Sequence, residues 1–414
     1  MKEQIRTNLT HPEKLEALYR AAPDVFKTTF TELYPEITEY PAAAFWHERL
    51  KFESEKINWG TSRDILMILG LSALAGLVVK LPEIFNLPET FFFQRNAAFI
   101  FFPFLIFYFL WKQKTERKKW VITAVGLLIS LVYINVLPDK EHSNSIILAC
   151  IHLPLVIWGF LGFVFQSANK IENTRRLKYL QYNGDLAVML ALLAISGILL
   201  SGITIGLFNL IEIDIREFYI TKVVFCCAAA APIIATYLIQ VNPKLVNSIS
   251  PLIAKIFSPL VLVTLTIYLI AVLVTGKDPY NDREFLLLFN ILLIGVMALI
   301  LFSVIETTGN KSNKLSLWIL LSLSVVTIII NGVALSAIIF RISEWGITPN
   351  RLAILGSNIL MLIHMILLSI RMISSLKNNT DSGAILSSIT RYLPIYLLWC
   401  LMVVFLFPIM FNMA

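Results

Sequence analysis

From Asp64 onward the chain alternates apolar runs of about 17 to 25 residues with short polar breaks, and this alternation constrains the fold more than any motif does. A run of that length crosses about 30 Å of hydrocarbon as a helix. Lipid offers no hydrogen bonds to the backbone, so a spanning segment that pairs its own N–H and C=O groups must be helical. Eleven runs can be counted, at 64–80, 91–111, 120–137, 145–165, 185–207, 220–240, 256–275, 285–305, 315–340, 351–370 and 392–412. Composition agrees: 57% of residues are hydrophobic and 15% charged, where soluble domains carry about 25% charge. The expected fold class is all-α, a polytopic helical membrane protein with about 11 transmembrane helices over 61–414 and a small N-terminal cytoplasmic helical domain over 1–60.

That first segment has a different character. Residues 1–58 hold ten acids and eight bases, so the overall charge of +7 comes from the rest of the chain. Thr10 and Glu13 have the spacing of a capping box, after which Leu15, Leu18 and Tyr19 share a helical face. Pro23 and Asp24 open a second helix with Phe26, Phe30 and Leu33 on one stripe. A third, from about Pro41, carries Phe45, Trp46, Leu50 and Phe52 and runs towards Trp59, placed as an interfacial anchor. The apolar stripes need cover from one another, from the membrane face of the bundle or from a protein partner. Segment 1–60 lacks the apolar core of a cleavable signal peptide, so insertion is expected to begin at the first membrane helix.

Lysine and arginine placement sets the expected orientation. With the N-terminus inside, twenty-five of these residues face the cytoplasm and nine the other side, and the basic run KQKTERKK at 112–119 anchors the assignment early. Eleven spans then leave the C-terminus periplasmic, in a bacterial inner membrane. The basic breaks suit anionic lipid headgroups rather than nucleic acid.

On the outer side the densest polar stretch is RISEWGITPNR, Arg341 to Arg351. Thr348 before Pro349 reads as an N-cap with proline at the first helical position. Gly346 supplies the turn. Arg351 falls in the first helical turn, where the positive end of the macrodipole disfavours a cation, and Glu344 is the nearest acid to compensate it. An Arg341, Glu344 and Arg351 cluster beside Trp345 would leave one guanidinium for an external anion; the alternative is a solvated hairpin that stops its helices sliding into lipid. Asp278 before Pro279, followed by Arg283, repeats the pattern in an earlier outer break, which reads either as spans 7 and 8 repeating as 9 and 10 or as a common way to begin a helix.

Within the runs, polar side chains carry the information, because lipid burial penalises them. His152 precedes Pro154 by two residues, and Asn290, Asn331, Asn358 and His364 lie in spans 8, 9 and 10. At 100° per residue, Arg351 and Asn358 share one face of span 10 while Ser357 and His364 share the neighbouring one. These residues form either a polar path from the hairpin or interhelical hydrogen bonds that hold a bundle together. Pro103, Pro154, Pro232 and Pro408 interrupt spans 2, 4, 6 and 11. Cys150, Cys226, Cys227 and Cys400 all lie in apolar runs, which fits packing rather than a disulfide framework or a zinc site. No nucleotide, hydrolase or metalloprotease motif is present, so no catalytic, cofactor or metal residues are assigned.

The stretches HPEKLEALYRAAPDVFKTTFTELYPEI, FWHERLKFE, WGTSRDIL, DPYNDREFL and RISEWGITPNRLAILG resemble an uncharacterised family of bacterial polytopic membrane proteins, the domain of unknown function 4153, in its Bacteroidetes-like form. The resemblance implies a membrane bundle and no particular activity. Three functions compete on the residues alone: a permease or channel-like transporter of a small or lipid-like solute, a non-catalytic sensor or assembly factor, and a membrane enzyme acting on lipid or glycan. Span number, kinks and midplane asparagines favour the first, the acidic N-terminal domain and lack of buried charge the second, and the outward acid and arginine cluster the third.

Overall fold

A computed structural model describes the chain except residues 54–59, 114, 141–142, 166–171, 211, 243–248, 276–279, 281–282, 309–313, 379–382 and 414, together with some side chains beside these. Trp59 and Asp278 thus lie outside the described residues, as do the side chains of Phe52 and Arg283. The described residues are helical with no strand, and they divide into two compact units, Met1–Gly60 and Thr61–Ala414.

The first unit is built from α1 (Lys2–Thr7), α2 (Pro12–Ala21), α3 (Pro23–Leu33) and α4 (Pro41–Glu53). Its stripes cover one another: Leu15, Phe26, Phe30, Leu33, Trp46 and Leu50 are buried together, joined by Ile5 from the unexpected α1 and by Leu9 just after it. Phe45 points out instead. The expected capping box is absent, because α2 starts with His11 as its cap and Thr10 Oγ1 lies 3.1 Å from His11 Nδ1. Proline at the first helical position has no N–H to cap, which reduces the need for one. Glu16 pairs with Arg20 at 2.9 Å and with Arg49 at 2.8 Å, and the Arg49 guanidinium sits 4.5 Å from the Trp46 ring.

Eleven helices of the second unit are long and apolar enough to cross a membrane among the described residues. They are α5 (Ser62–Phe85), α6 (Glu89–Lys112), α7 (Arg117–Val136), α8 (Asn144–Phe165), α9 (Glu172–Leu210), α10 (Arg216–Val241), α11 (Ile249–Thr275), α12 (Arg283–Thr308), α13 (Lys314–Trp345), α14 (Pro349–Asn378) and α15 (Gly383–Phe405). The count equals the sequence expectation; the ends differ where polar residues continue a helix. α9 has 39 residues, about 58 Å at 1.5 Å per residue, against the 23 assigned from hydropathy. Its first turns carry Arg175, Arg176 and Lys178 but also the buried Tyr179 and Tyr182, so the charged stretch is helix with one packed face rather than a loop.

Proline acts unevenly. α6 breaks at a short tight turn, Ala97–Phe99, and resumes at Phe102 with Pro103 in its first turn, and α15 ends at Phe405 before a separate turn, Phe407–Met410, begins around Pro408. Pro154 and Pro232 remain inside continuous helices. Residues 212–215 connect α9 to α10 without helix, and α10 opens with a widened turn at Tyr219–Val224.

Two large apolar cores hold the bundle, with two smaller clusters beside them. One gathers α5, α6, α8, the start of α9 and α10 around Leu105, Tyr108 and Leu153; the other gathers α11 to α14 around Phe289, Ile330 and Leu368. α15 serves both, with Ile385 and Ile389 in the second core and Cys400 and Val404 in the first.

Candidate functional site

The hairpin between α13 and α14 follows from its turn chemistry. Gly346 adopts φ +75°, which strains any residue with a Cβ. Thr348 then caps α14: its carbonyl accepts from Leu352 N at 3.0 Å and its Oγ1 from Arg351 N at 3.4 Å. Glu344 does not compensate Arg351, contrary to expectation. Among the described residues neither Arg341 nor Arg351 forms an ion pair with it. Arg351 Nη1 instead donates to the carbonyls of Trp345 at 2.8 Å and Gly346 at 2.7 Å, where α13 ends and its unpaired carbonyls carry the negative end of the dipole. The cation that is misplaced for its own helix is well placed for the preceding one. Arg341 Nε donates to Tyr280 O at 2.8 Å, and both guanidiniums lie within 5.7 Å of the Trp345 ring. The two arginines are thus engaged by backbone carbonyls and the indole, and neither pairs with Glu344.

A second arginine of this kind escaped the sequence reading. Arg95, in the first half of α6, is only 4% exposed; its Nη1 donates to Ile134 O at 2.7 Å and Leu137 O at 2.6 Å, and its Nη2 to Pro138 O at 3.0 Å. These carbonyls end α7. Next to it Asn96 and Asn135 exchange amide hydrogen bonds of 3.0 and 2.8 Å. The sequence signal was Pro138 just past an apolar run, which leaves carbonyls without a helical donor.

Deeper in the bundle, the helical-wheel reading of α14 holds. Its Asn358 face meets α13, where Asn331 Nδ2 donates to Asn358 O at 3.2 Å. Its Ser357 and His364 face meets α15: Trp399 Nε1 donates to Ser357 Oγ at 3.2 Å, and His364 Nδ1 lies 3.0 Å from Tyr396 Oη. A Cβ on Gly356 would overlap the Trp399 ring, so the glycine is what lets that indole reach Ser357. Tyr392 stacks on His364 with centroids 4.4 Å apart, and Tyr396 Oη reaches Met297 Sδ on α12 at 3.4 Å. These phenols were missed because a tyrosine in an apolar run looks like packing.

Asn290, Asn331, Asn358 and His364 are all buried, and five of their polar atoms have no protein partner: Asn290 Oδ1, Asn331 Oδ1, both Asn358 amide atoms and His364 Nε2. Such an atom costs about 1–3 kcal/mol when buried. By contrast Ser324 and Ser369 pair at 2.6 Å, and Ser258 and Ser303 at 2.8 Å, as purely structural contacts do. His152 belongs with these, since its Nδ1 pairs with Leu148 O of its own helix at 2.8 Å. Elsewhere a groove of about 550 Å³ beside α7 is lined by apolar residues and by Tyr133, whose hydroxyl already donates to Phe405 O. It offers no chemistry. No family model matches the chain, and no curated protein or solved structure matches it either.

Proposed function

We propose that this integral membrane protein is a permease-like transporter, passing a small or lipid-like solute between α12, α13, α14 and α15, in a bacterial inner membrane with its N-terminus cytoplasmic and its C-terminus periplasmic. The resemblance to the uncharacterised family belongs to the same proposal and adds no activity to it. The observation that carries the reading is the set of five unpartnered polar atoms on Asn290, Asn331, Asn358 and His364. A static scaffold would replace such groups with leucine and gain stability, whereas a pathway keeps polar groups inside a membrane bundle for use. Membrane lipids surround the bundle, and the first unit remains available to a protein partner.

The test needs no substrate. In a background without Cys150, Cys226, Cys227 and Cys400, a single cysteine at position 331 or 358 is offered to a membrane-impermeant thiol reagent from either side of proteoliposomes. Labelling from both sides is the expected result for a path that opens alternately. Labelling from neither side, in protein that keeps its melting temperature, would reject transport and favour the sensor or assembly-factor reading, whose own support is the self-contained core of the first unit.

A further inference from the structure

We infer that the solute taken between α12, α13, α14 and α15 is uncharged and rich in hydrogen-bond donors, a polyol-like molecule; this rests on the transport reading above. The hydrogen-bond inventory carries it. Asparagine oxygen and nitrogen are told apart by their partners, and here the partners decide two cases: Asn290 Nδ2 donates to Leu286 O at 2.7 Å and Asn331 Nδ2 to Asn358 O at 3.2 Å. The unpartnered atom of each is therefore a carbonyl oxygen. Asn358 leaves both its oxygen and its NH₂ unpartnered.

His364 is settled by proton order. Tyr396 has one hydroxyl hydrogen and lies 3.0 Å from His364 Nδ1 and 3.4 Å from Met297 Sδ. Sulfur cannot donate, so both contacts are hydrogen bonds only when the hydroxyl donates to sulfur and Nδ1–H donates to the hydroxyl oxygen. In that tautomer Nε2 carries a bare lone pair, and the stacked Tyr392 ring holds the imidazole plane. Four unpartnered acceptors then stand against one NH₂ group.

Charge narrows the class further. Every buried polar side chain of α12 to α14 among the described residues is an asparagine, a serine, a threonine or His364. A carboxylate or phosphate would bring a charge with no counter-charge and would set acceptors against acceptors. A metal cation would also lack a counter-charge and would meet the Asn358 NH₂ group. A hydroxyl can donate to any of these acceptors and accept from the Asn358 NH₂, so it is the group that suits each of these atoms.

Full-length protein in proteoliposomes is tested by stopped-flow light scattering with glycerol, erythritol, xylitol, sorbitol and myo-inositol, and in parallel for movement of potassium chloride and sodium lactate. At least one polyol is expected to enter faster than in protein-free vesicles, with both salts excluded. Asn358→Leu should slow that entry about tenfold, the equivalent of one good hydrogen bond, while its melting temperature holds or rises because two unpartnered atoms are gone; Asn358→Ser should retain part of the rate. Salt movement without polyol entry would overturn the polyol assignment and leave transport standing. Thiol labelling at 358 from both sides, with no polyol entering, would do the same. If labelling also fails from both sides, transport itself falls. A parallel loss of rate and melting temperature in Asn358→Leu would reduce Asn358 to a packing residue and overturn its place in the site.

Discussion

Arg95 and Arg351 meet the same need by the same means, each donating to the carbonyls that end another membrane helix: Ile134, Leu137 and Pro138 for Arg95, Trp345 and Gly346 for Arg351. Removing a buried cation strands its acceptors, so Arg95→Met should cost about 3 kcal/mol or more. The Arg351 contacts are more exposed, and Arg351→Gln should cost about 1–2 kcal/mol. Glu344→Gln should change stability by less than about 0.5 kcal/mol and add to Arg351→Gln without coupling. Unfolding of the four proteins in nanodiscs checks this, and a coupling well above that figure would restore the ion pair. In the first unit, hydrogen bonds from Arg20 and then Arg49 hold the Glu16 carboxyl below the usual carboxylate range. A depressed folded value stabilises above the unfolded one, near about 4.3, and the contribution is lost as pH falls through the folded value. Hydrogen-exchange protection of α2 should therefore drop below about pH 4.3 in the wild type, and Glu16→Gln should remove that part of the drop.

Helix α14 shows how one element addresses two neighbours. Its positions 351 and 358 look to the hairpin and α13, while 357 and 364 look to α15, and Gly356 sits against the Trp399 ring between them. Gly356→Ala pushes a methyl into that ring, and overpacking of this kind costs about 1–3 kcal/mol. The indole must also shift from Ser357 Oγ. The expected readouts are a changed tryptophan emission and a lowered melting temperature, the latter largely relieved when Trp399→Phe is added. No relief would mean that the strain lies elsewhere in α14. α9 makes a different point, since a charged stretch with a buried tyrosine face continues a helix well past the apolar run that hydropathy marks.

Across the whole chain, two apolar cores share α15, so the spans form one bundle rather than two independent halves. Which way the bundle faces is a matter of charge. Lys118 lies in the first turn of α7, within the basic stretch that follows α6, and Ile347 is 63% exposed in the hairpin at the end of α13. With the lysine-rich breaks held inside, a cysteine at 347 should react with an impermeant maleimide on intact cells, and one at 118 only after permeabilisation. The opposite pattern would invert the assignment.

What the sequence by itself determined is the part governed by local chemistry and length: eleven spans, the Thr348–Pro349 start of α14, and the two faces of α14 that carry Asn358 and His364. Hydrocarbon thickness and the helical period act on contiguous residues, so they can be read along the chain. Only the tertiary structure decided that Arg351 serves the end of α13 instead of Glu344, that Arg95 closes α7, and that Tyr396 ties His364 to Met297. Those choices depend on which helix ends and faces meet in space. A carbonyl left unpaired at a helix end is a feature of the fold, and no residue in the sequence announces which guanidinium will reach it.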